Sequence, residues 1–186
     1  HPGVVAACHE LARRNHLGID SLPIKGLKEG LTNQDQSNSS VLKILEENLK
    51  PRTRLVVLSH LLWNTGQIMP ILDIAKLLRT HPLKPFLLVD AAQSFGQIPI
   101  EIEAAAADIY AFTGHKWAFG PEGLGGVALS ERVISDIRPT LIGWRSLYSE
   151  EDPFLSNPYH KDARRFEVAT SCVPLLAGLS NSLDLL

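Results

Sequence analysis

The sequence predicts an α/β fold, a sandwich of helices around a mainly parallel sheet, and three observations carry that expectation. Short continuous apolar runs recur at strand length, as in Leu55-Val56-Val57-Leu58 and Phe86-Leu87-Leu88-Val89. Stretches with helical apolar spacing alternate with them, as βαβ units require. The residues that carry chemistry, Asp90 and Thr113, fall at the ends of the expected strands, where open α/β sheets gather their ligands.

The elements follow in chain order. Val4 to Asn15 shows apolar residues at helical spacing, with Gly18 as a stop signal. Ile19 to Ile24 reads as a short strand, and Gly26 to Ser40 as a polar loop rich in Gly, Asn, Gln and Ser. A helix is expected from about Ser40 to Leu49, capped by Ser39 or Ser40 and closed by Pro51. The run at 55–58 is the first buried strand, and its unbroken apolar character predicts burial on both faces. Pro70 to Arg79 is a helix with Pro in its first turn. Further strands are expected at 86–89, ending at Asp90, at Asp108–Phe112 and at Gly126–Leu129, with a short helix from Glu131 to Ile137. Pro139 to Asp162 is irregular and reads as a loop over a site or a link.

Composition narrows the function classes. The chain has 186 residues, 45% apolar and 20% charged, with formal net charge −2, which is ordinary for one domain with a sizeable core. Dispersed Lys and Arg give no nucleic-acid or anionic-membrane surface. No run approaches the roughly 18 apolar residues that a membrane helix needs, and no signal peptide is visible. Two cysteines without a C-x-x-C pair suit a reducing cytosol and exclude a zinc knuckle. The chain starts at His1-Pro2 and stops at Leu186 inside an apolar run, which reads as a fragment of a longer protein.

The chemistry concentrates in Asp90-Ala91-Ala92-Gln93, Thr113-Gly114-His115-Lys116 and Gly120-Pro121-Glu122-Gly123. A lysine in a loop after a buried strand can form an imine with a carbonyl. An acid on the neighbouring strand end would face the same rim. Pyridoxal 5′-phosphate (PLP) requires such a pair, a lysine on its aldehyde and an acid on its pyridine nitrogen. Taken singly, a lysine after a strand is most often a surface charge and an aspartate at a strand end a turn residue. The glycines lead into a strand rather than a helix, so they form neither a dinucleotide fingerprint nor a P-loop.

Together, Asp-x-Ala-Gln, Thr-Gly-His-Lys and Gly-Pro-x-Gly resemble the signature of class V aminotransferases. That group includes cysteine desulfurases, isopenicillin-N-epimerase-like proteins and cysteine/cystine C–S lyases. The resemblance runs from His1 to about Leu179, and SHLLWNTGQ (59–67), TGHKW (113–117), IGWRS (142–146) and RRFEVATS (164–171) look most similar to the C–S lyase branch. It implies the large-domain core of a fold-type I PLP enzyme, a three-layer α/β/α sandwich. An N-terminal segment and a C-terminal small domain would lie outside residues 1–186.

The resemblance also implies roles. Lys116 matches the lysine that carries PLP and moves the Cα proton. Asp90 matches the partner of the pyridine nitrogen, Gln93 that of the ring hydroxyl, and Ala92 a small residue against one ring face. Thr113 and His115 match residues that hold the phosphate, and His1 one stacked on the other ring face. Thr170 matches a threonine that reaches the partner subunit's phosphate, which implies a homodimer with shared sites, although Ala169 stands where many members have Gly. Asn64 lies near a substrate-contacting asparagine of the desulfurases; alignment on Gly66 puts Trp63 at that place instead. Trp144 would line the substrate pocket, with packing as the even alternative. Trp117 reads as packing, and His60, His81 and His160 as non-catalytic. The implied activity is β-elimination on cystine or cysteine. Desulfuration, another reaction of the family and a non-catalytic truncated copy are the alternatives.

Overall fold

The structure is a computed structural model and describes residues 1–24, 34–148 and 156–186. Four strands form one sheet in the order β1 (Leu55–Ser59), β2 (Phe86–Asp90), β3 (Ile109–Thr113) and β4 (Gly125–Leu129). β1, β2 and β3 run parallel, and β4 returns antiparallel to β3. The mixed α/β architecture with a mostly parallel sheet is the one expected.

Helix α1 (Pro2–Asn15) begins with Pro in its first turn and with His1 Nδ1 accepting from the Gly3 amide at 3.1 Å. It ends at Asn15, as expected, but the cap is His16 rather than Gly18: its left-handed conformation (φ 53°) lets its amide reach back to Ala12. The strand expected at 19–24 is absent. Leu22 and Ile24 rest against the core, but the Ile24 amide bonds the Leu22 carbonyl in a tight turn rather than a ladder. Of the polar loop expected at 26–40, residues 26–33 lie outside the described residues, and the rest is helix.

Helix α2 (Gln34–Asn48) starts a turn and a half before its expected origin. Its buried stripe is Ser37, Val41 and Leu45, at helical spacing, but the first position is polar. Gln67 satisfies it, donating to Ser37 Oγ at 2.6 Å. Such a partner is invisible in the local pattern. Ser40 is no cap; its hydroxyl donates to the Gln36 carbonyl within the helix. Helix α3 (Ile71–Thr80) buries Ile71, Ile74, Ala75 and Leu78, a clean i, i+3, i+4, i+7 face. The short helices α4 (Glu101–Ala106) and α5 (Glu131–Asp136) and the terminal α6 (Val173–Leu183) complete the described elements, with 3₁₀ turns at Trp144–Ser146 and Ala163–Phe166.

The strands are not dry on both faces. Burial alternates along β1 and β2: Val56, Leu58, Leu87 and Val89 are buried with Tyr110, while Leu55, Val57, Phe86 and Leu88 are half-buried or exposed. The buried face packs on α2 and α3 in one core cluster. The other face carries Ser59 and Asp90, level at the carboxyl ends of β1 and β2, and Thr113, which closes β3 two residues beyond Ala111, the residue level with Asp90.

The amino ends are tied by a buried carboxylate. Asp108, fully buried, accepts from Arg79 (3.0 and 3.2 Å), Arg132 (3.1 and 3.2 Å), Ser130 Oγ (3.1 Å) and the Leu87 amide (2.9 Å). One side chain thus joins α3, β2, β3 and α5. Asp108→Ala should cost about 3 kcal/mol of stability, because two arginines and a buried amide lose their acceptor together. Equilibrium urea unfolding checks this; a loss below about 0.5 kcal/mol, the range of ordinary surface substitutions, would show that the arginines find water instead.

Candidate functional site

Parallel pairing sets Ser59 opposite Asp90. The Asp90 carboxylate accepts from the Ala92 amide at 3.0 Å and, more loosely, from Ser59 Oγ at 3.4 Å. After β2 the chain turns sharply. The Ala91 amide still bonds β3 at the Ala111 carbonyl (2.8 Å), and the amides of Ser94 and Phe95 both close on the Ala91 carbonyl (3.1 and 3.0 Å). This turn holds Ala92 and Gln93 beside Asp90 at the strand end.

Lys116 comes from the connection between β3 and β4. The Gly114 amide bonds Leu124 and the Gly120 amide bonds the Gly114 carbonyl, each at 2.9 Å, which folds the loop over the strand end. The two segments meet at Gly96. It has φ +80°, and a Cβ there would stand 2.6 Å from the Trp117 carbonyl and the Ala118 amide. Only glycine lets the lysine loop lie on the aspartate turn. A side-chain bond joins them too, from Trp117 Nε1 to Gln93 Oε1 at 2.9 Å. Trp117 is therefore more than packing: it orients Gln93.

The result is a cavity of about 230 Å³ lined by His1, Val4, Ser59, Leu61, Trp63, Asp90, Ala92, Gln93 and Lys116. Five of the residues singled out in the sequence, His1, Asp90, Ala92, Gln93 and Lys116, come together there. The His1 and Trp63 rings meet edge to face, 6.0 Å apart between centroids. Thr113 closes β3 next to this cavity without lining it, and its hydroxyl is buried without a hydrogen-bond partner. His115 is exposed and does not line the cavity.

Three other residues singled out stand apart. Asn64 is exposed and outside the lining, and its neighbour Trp63 occupies the wall. Trp144 is half-exposed in a 3₁₀ turn with the Arg145 guanidinium over its ring. Thr170 is exposed just before α6. Sequence reasoning missed Ser59, Leu61 and Val4. Ser59 had a signal, since it closes a parallel strand just as Asp90 does.

A family model described as aminotransferase class-V matches residues 1–186. A curated protein of Methanothermobacter thermautotrophicus, named a probable cysteine desulfurase, is 27% identical over 173 residues, 92% of this chain and 40% of that protein. The solved structure of the cystine C–S lyase C-DES with its reaction product cysteine persulfide superposes with a TM-score of 0.85 at 39% identity, covering 100% of this chain and 47% of that one. A C-DES variant with glycine covalently linked to its PLP cofactor gives a TM-score of 0.84 at 38% identity, covering 100% of this chain and 46% of that one. The chain thus spans less than half the length of each of these relatives.

The glycine contact yields a contrast. Gly96→Ala and Gly123→Ala both place a side chain at positive φ, but a Cβ at Gly123 would meet nothing closer than 3.8 Å. Gly123→Ala should cost about 1 kcal/mol, and Gly96→Ala clearly more, with loss of Lys116 reactivity toward aldehydes. Thermal unfolding and pyridoxal labelling of the two variants side by side measure this; equal losses would show that the loop contact at Gly96 is soft.

Proposed function

The chain belongs to the aminotransferase class-V family, and from that premise we propose that it forms the cofactor-binding core of a PLP enzyme acting on sulfur-containing amino acids, a cystine or cysteine C–S lyase. The observation that carries this reading is the meeting of Lys116 and Asp90 in one cavity with His1, Ala92 and Gln93. Had their side chains left opposite faces of the sheet, no single ring could lie between them.

The residues present suit that cofactor. An amine, a carboxylate fixed by a backbone amide and an amide side chain fixed by an indole face one space, and the buried Thr113 hydroxyl beside it has bonding capacity unspent. When bound, PLP supplies a sink for the electron pair left by an amino acid's Cα. Lys116 would tether it and, once displaced by the substrate's amino group, take the Cα proton. Asp90 would keep the proton on the pyridine nitrogen. Gln93 would meet the ring hydroxyl, Ala92 and His1 the two ring faces, and Thr113 and His115 the phosphate. With the proton taken up by Lys116, the electron pair left at Cα would expel sulfur from Cβ. Cystine then yields a persulfide, with pyruvate and ammonia after hydrolysis; cysteine yields sulfide.

Trp144 and Asn64 belong to this proposal as substrate contacts, and Thr170 as a residue that reaches a second subunit's phosphate in a homodimer. The exposure of all three fits contacts made outside the described fold. Segments outside residues 1–186 would complete the large domain and add a small one. No helix among the described residues is long and apolar enough to cross a membrane; a cytosolic setting is proposed on the two free cysteines, Cys8 and Cys172.

A cysteine desulfurase is the second reading, favoured by the Methanothermobacter relative. The product separates the two: a lyase makes pyruvate, a desulfurase alanine. The complete protein given cystine and PLP should release pyruvate, measured by coupled reduction, and alanine as the main product would overturn the lyase reading. Borohydride should fix the cofactor on Lys116, read by peptide mass; a label on another lysine refutes the site. Asp90→Asn should keep PLP occupancy but slow deuterium exchange at Cα roughly a hundredfold, about 3 kcal/mol in that barrier. Unchanged exchange would remove Asp90 from its role.

A further inference from the structure

Behind the cavity, on the dry face of the sheet, three buried polar side chains meet. The Tyr110 hydroxyl lies 2.8 Å from His60 Nδ1 and 3.0 Å from Ser94 Oγ. Exposure is 1% for Tyr110, 1% for His60 and 0% for Ser94. They come from three places: the second residue of β3, the residue after β1 and the turn after β2. A Phe would fill the space of Tyr110 without burying a hydroxyl, so the hydroxyl is present for its bonds.

Those bonds act on the Asp90 peptide. His60 donates its amide to the Asp90 carbonyl at 3.0 Å, and Ser94 donates its amide to the Ala91 carbonyl at 3.1 Å. The two residues held by the Tyr110 hydroxyl thus clamp the backbone on either side of the Asp90–Ala91 bond. Among the described residues, the Asp90 carboxylate itself accepts from the Ala92 amide and, at longer range, from Ser59. Its aim is set mainly by that backbone.

We infer that His60, Tyr110 and Ser94 are positioning residues that set the angle at which Asp90 meets the cofactor, and so tune how strongly the ring draws electrons. This rests on the reading of Asp90 as the acid partner. Hydrogen placement is consistent with it: the histidine, the phenol and the serine can pass one donor each along the chain to the Ala91 carbonyl, within reach of Ser94 Oγ at 3.4 Å. Burial lowers the His60 pKa below its usual value, against a smaller opposing effect of Glu103, and burial raises that of Tyr110. Both groups are therefore neutral near pH 7, as a fixed hydrogen-bonded chain requires.

Tyr110→Phe in the complete PLP-loaded protein tests the inference. The borohydride label on Lys116 should remain at wild-type stoichiometry. The visible absorption band of the bound cofactor should shift, and kcat for cystine should fall about tenfold with KM within about twofold, the pattern of an interaction that matters in the transition state. Ser94→Ala, which removes a hydroxyl from a turn rather than a strand, should shift the band the same way. His60→Gln, which keeps a polar group near the phenol, should recover part of the rate lost in His60→Leu. If Tyr110→Phe and Ser94→Ala leave band and kcat unchanged and lower only the unfolding temperature, the network is packing and the inference falls. If wild type takes no label on Lys116, the underlying reading falls first and takes this one with it.

Discussion

The alignment of strand ends in the parallel pairs is the constraint on which the site depends. Asp90 sits level with Ser59 on one side and Ala111 on the other. A slip of one residue would turn Asp90 into the packed layer under α2 and α3. A slip of two would move it by about 6.6 Å, at roughly 3.3 Å per residue, beyond reach of the lysine loop. Asp108 guards against both from the opposite end. Its carboxylate takes the Leu87 amide while its own amide bonds the Leu87 carbonyl, so β2 and β3 are locked at a defined step. A charge buried at one edge of the sheet thus specifies geometry at the other.

Polar groups inside the packed layer repeat this logic on a smaller scale. Gln67 on Ser37 seats α2 against the segment after β1, and the Tyr110 hydroxyl seats the turns that follow β1 and β2. Each apolar contact in the core tolerates small displacement, because dispersion is non-directional. The hydrogen bonds do not, and they stand where the chain leaves the sheet and the reactive side chains begin.

These directional contacts also mark where the sequence was legible and where it was not. The four strands and α3 show in the sequence because apolar period and length suffice to define them. The start of α2 did not, because a serine occupies a core position and its partner lies 30 residues away. The segment 19–24 has strand composition, but no neighbouring strand pairs with it among the described residues. In the cavity lining, Asp90, Ala92, Gln93 and Lys116 were legible as motif residues, and His1 from the likeness of the first residues to the family's pattern. Trp117 was not, because a tryptophan in a loop gives no sign that its indole N–H is engaged. Trp63 rather than Asn64 at the cavity wall turns on a single step along an irregular stretch, where neither the strand nor the helix period says which side chain points inward.

The antiparallel return of β4 has a consequence for how the molecule assembles. β3 and β4 are joined directly, with Ile109 paired to Leu129 and Thr113 to Gly125, so the lysine loop is the tip of a local hairpin. The aspartate reaches its place only through crossovers that bring β1, β2 and β3 together from distant parts of the chain. Contacts local in sequence close quickly and distant ones slowly. The two sides of the cavity therefore differ in range: the lysine loop can form as soon as residues 109–129 are free to fold, whereas the aspartate's place waits on the longer crossovers. The Gly96 contact is the point at which the local hairpin and the crossover strands meet.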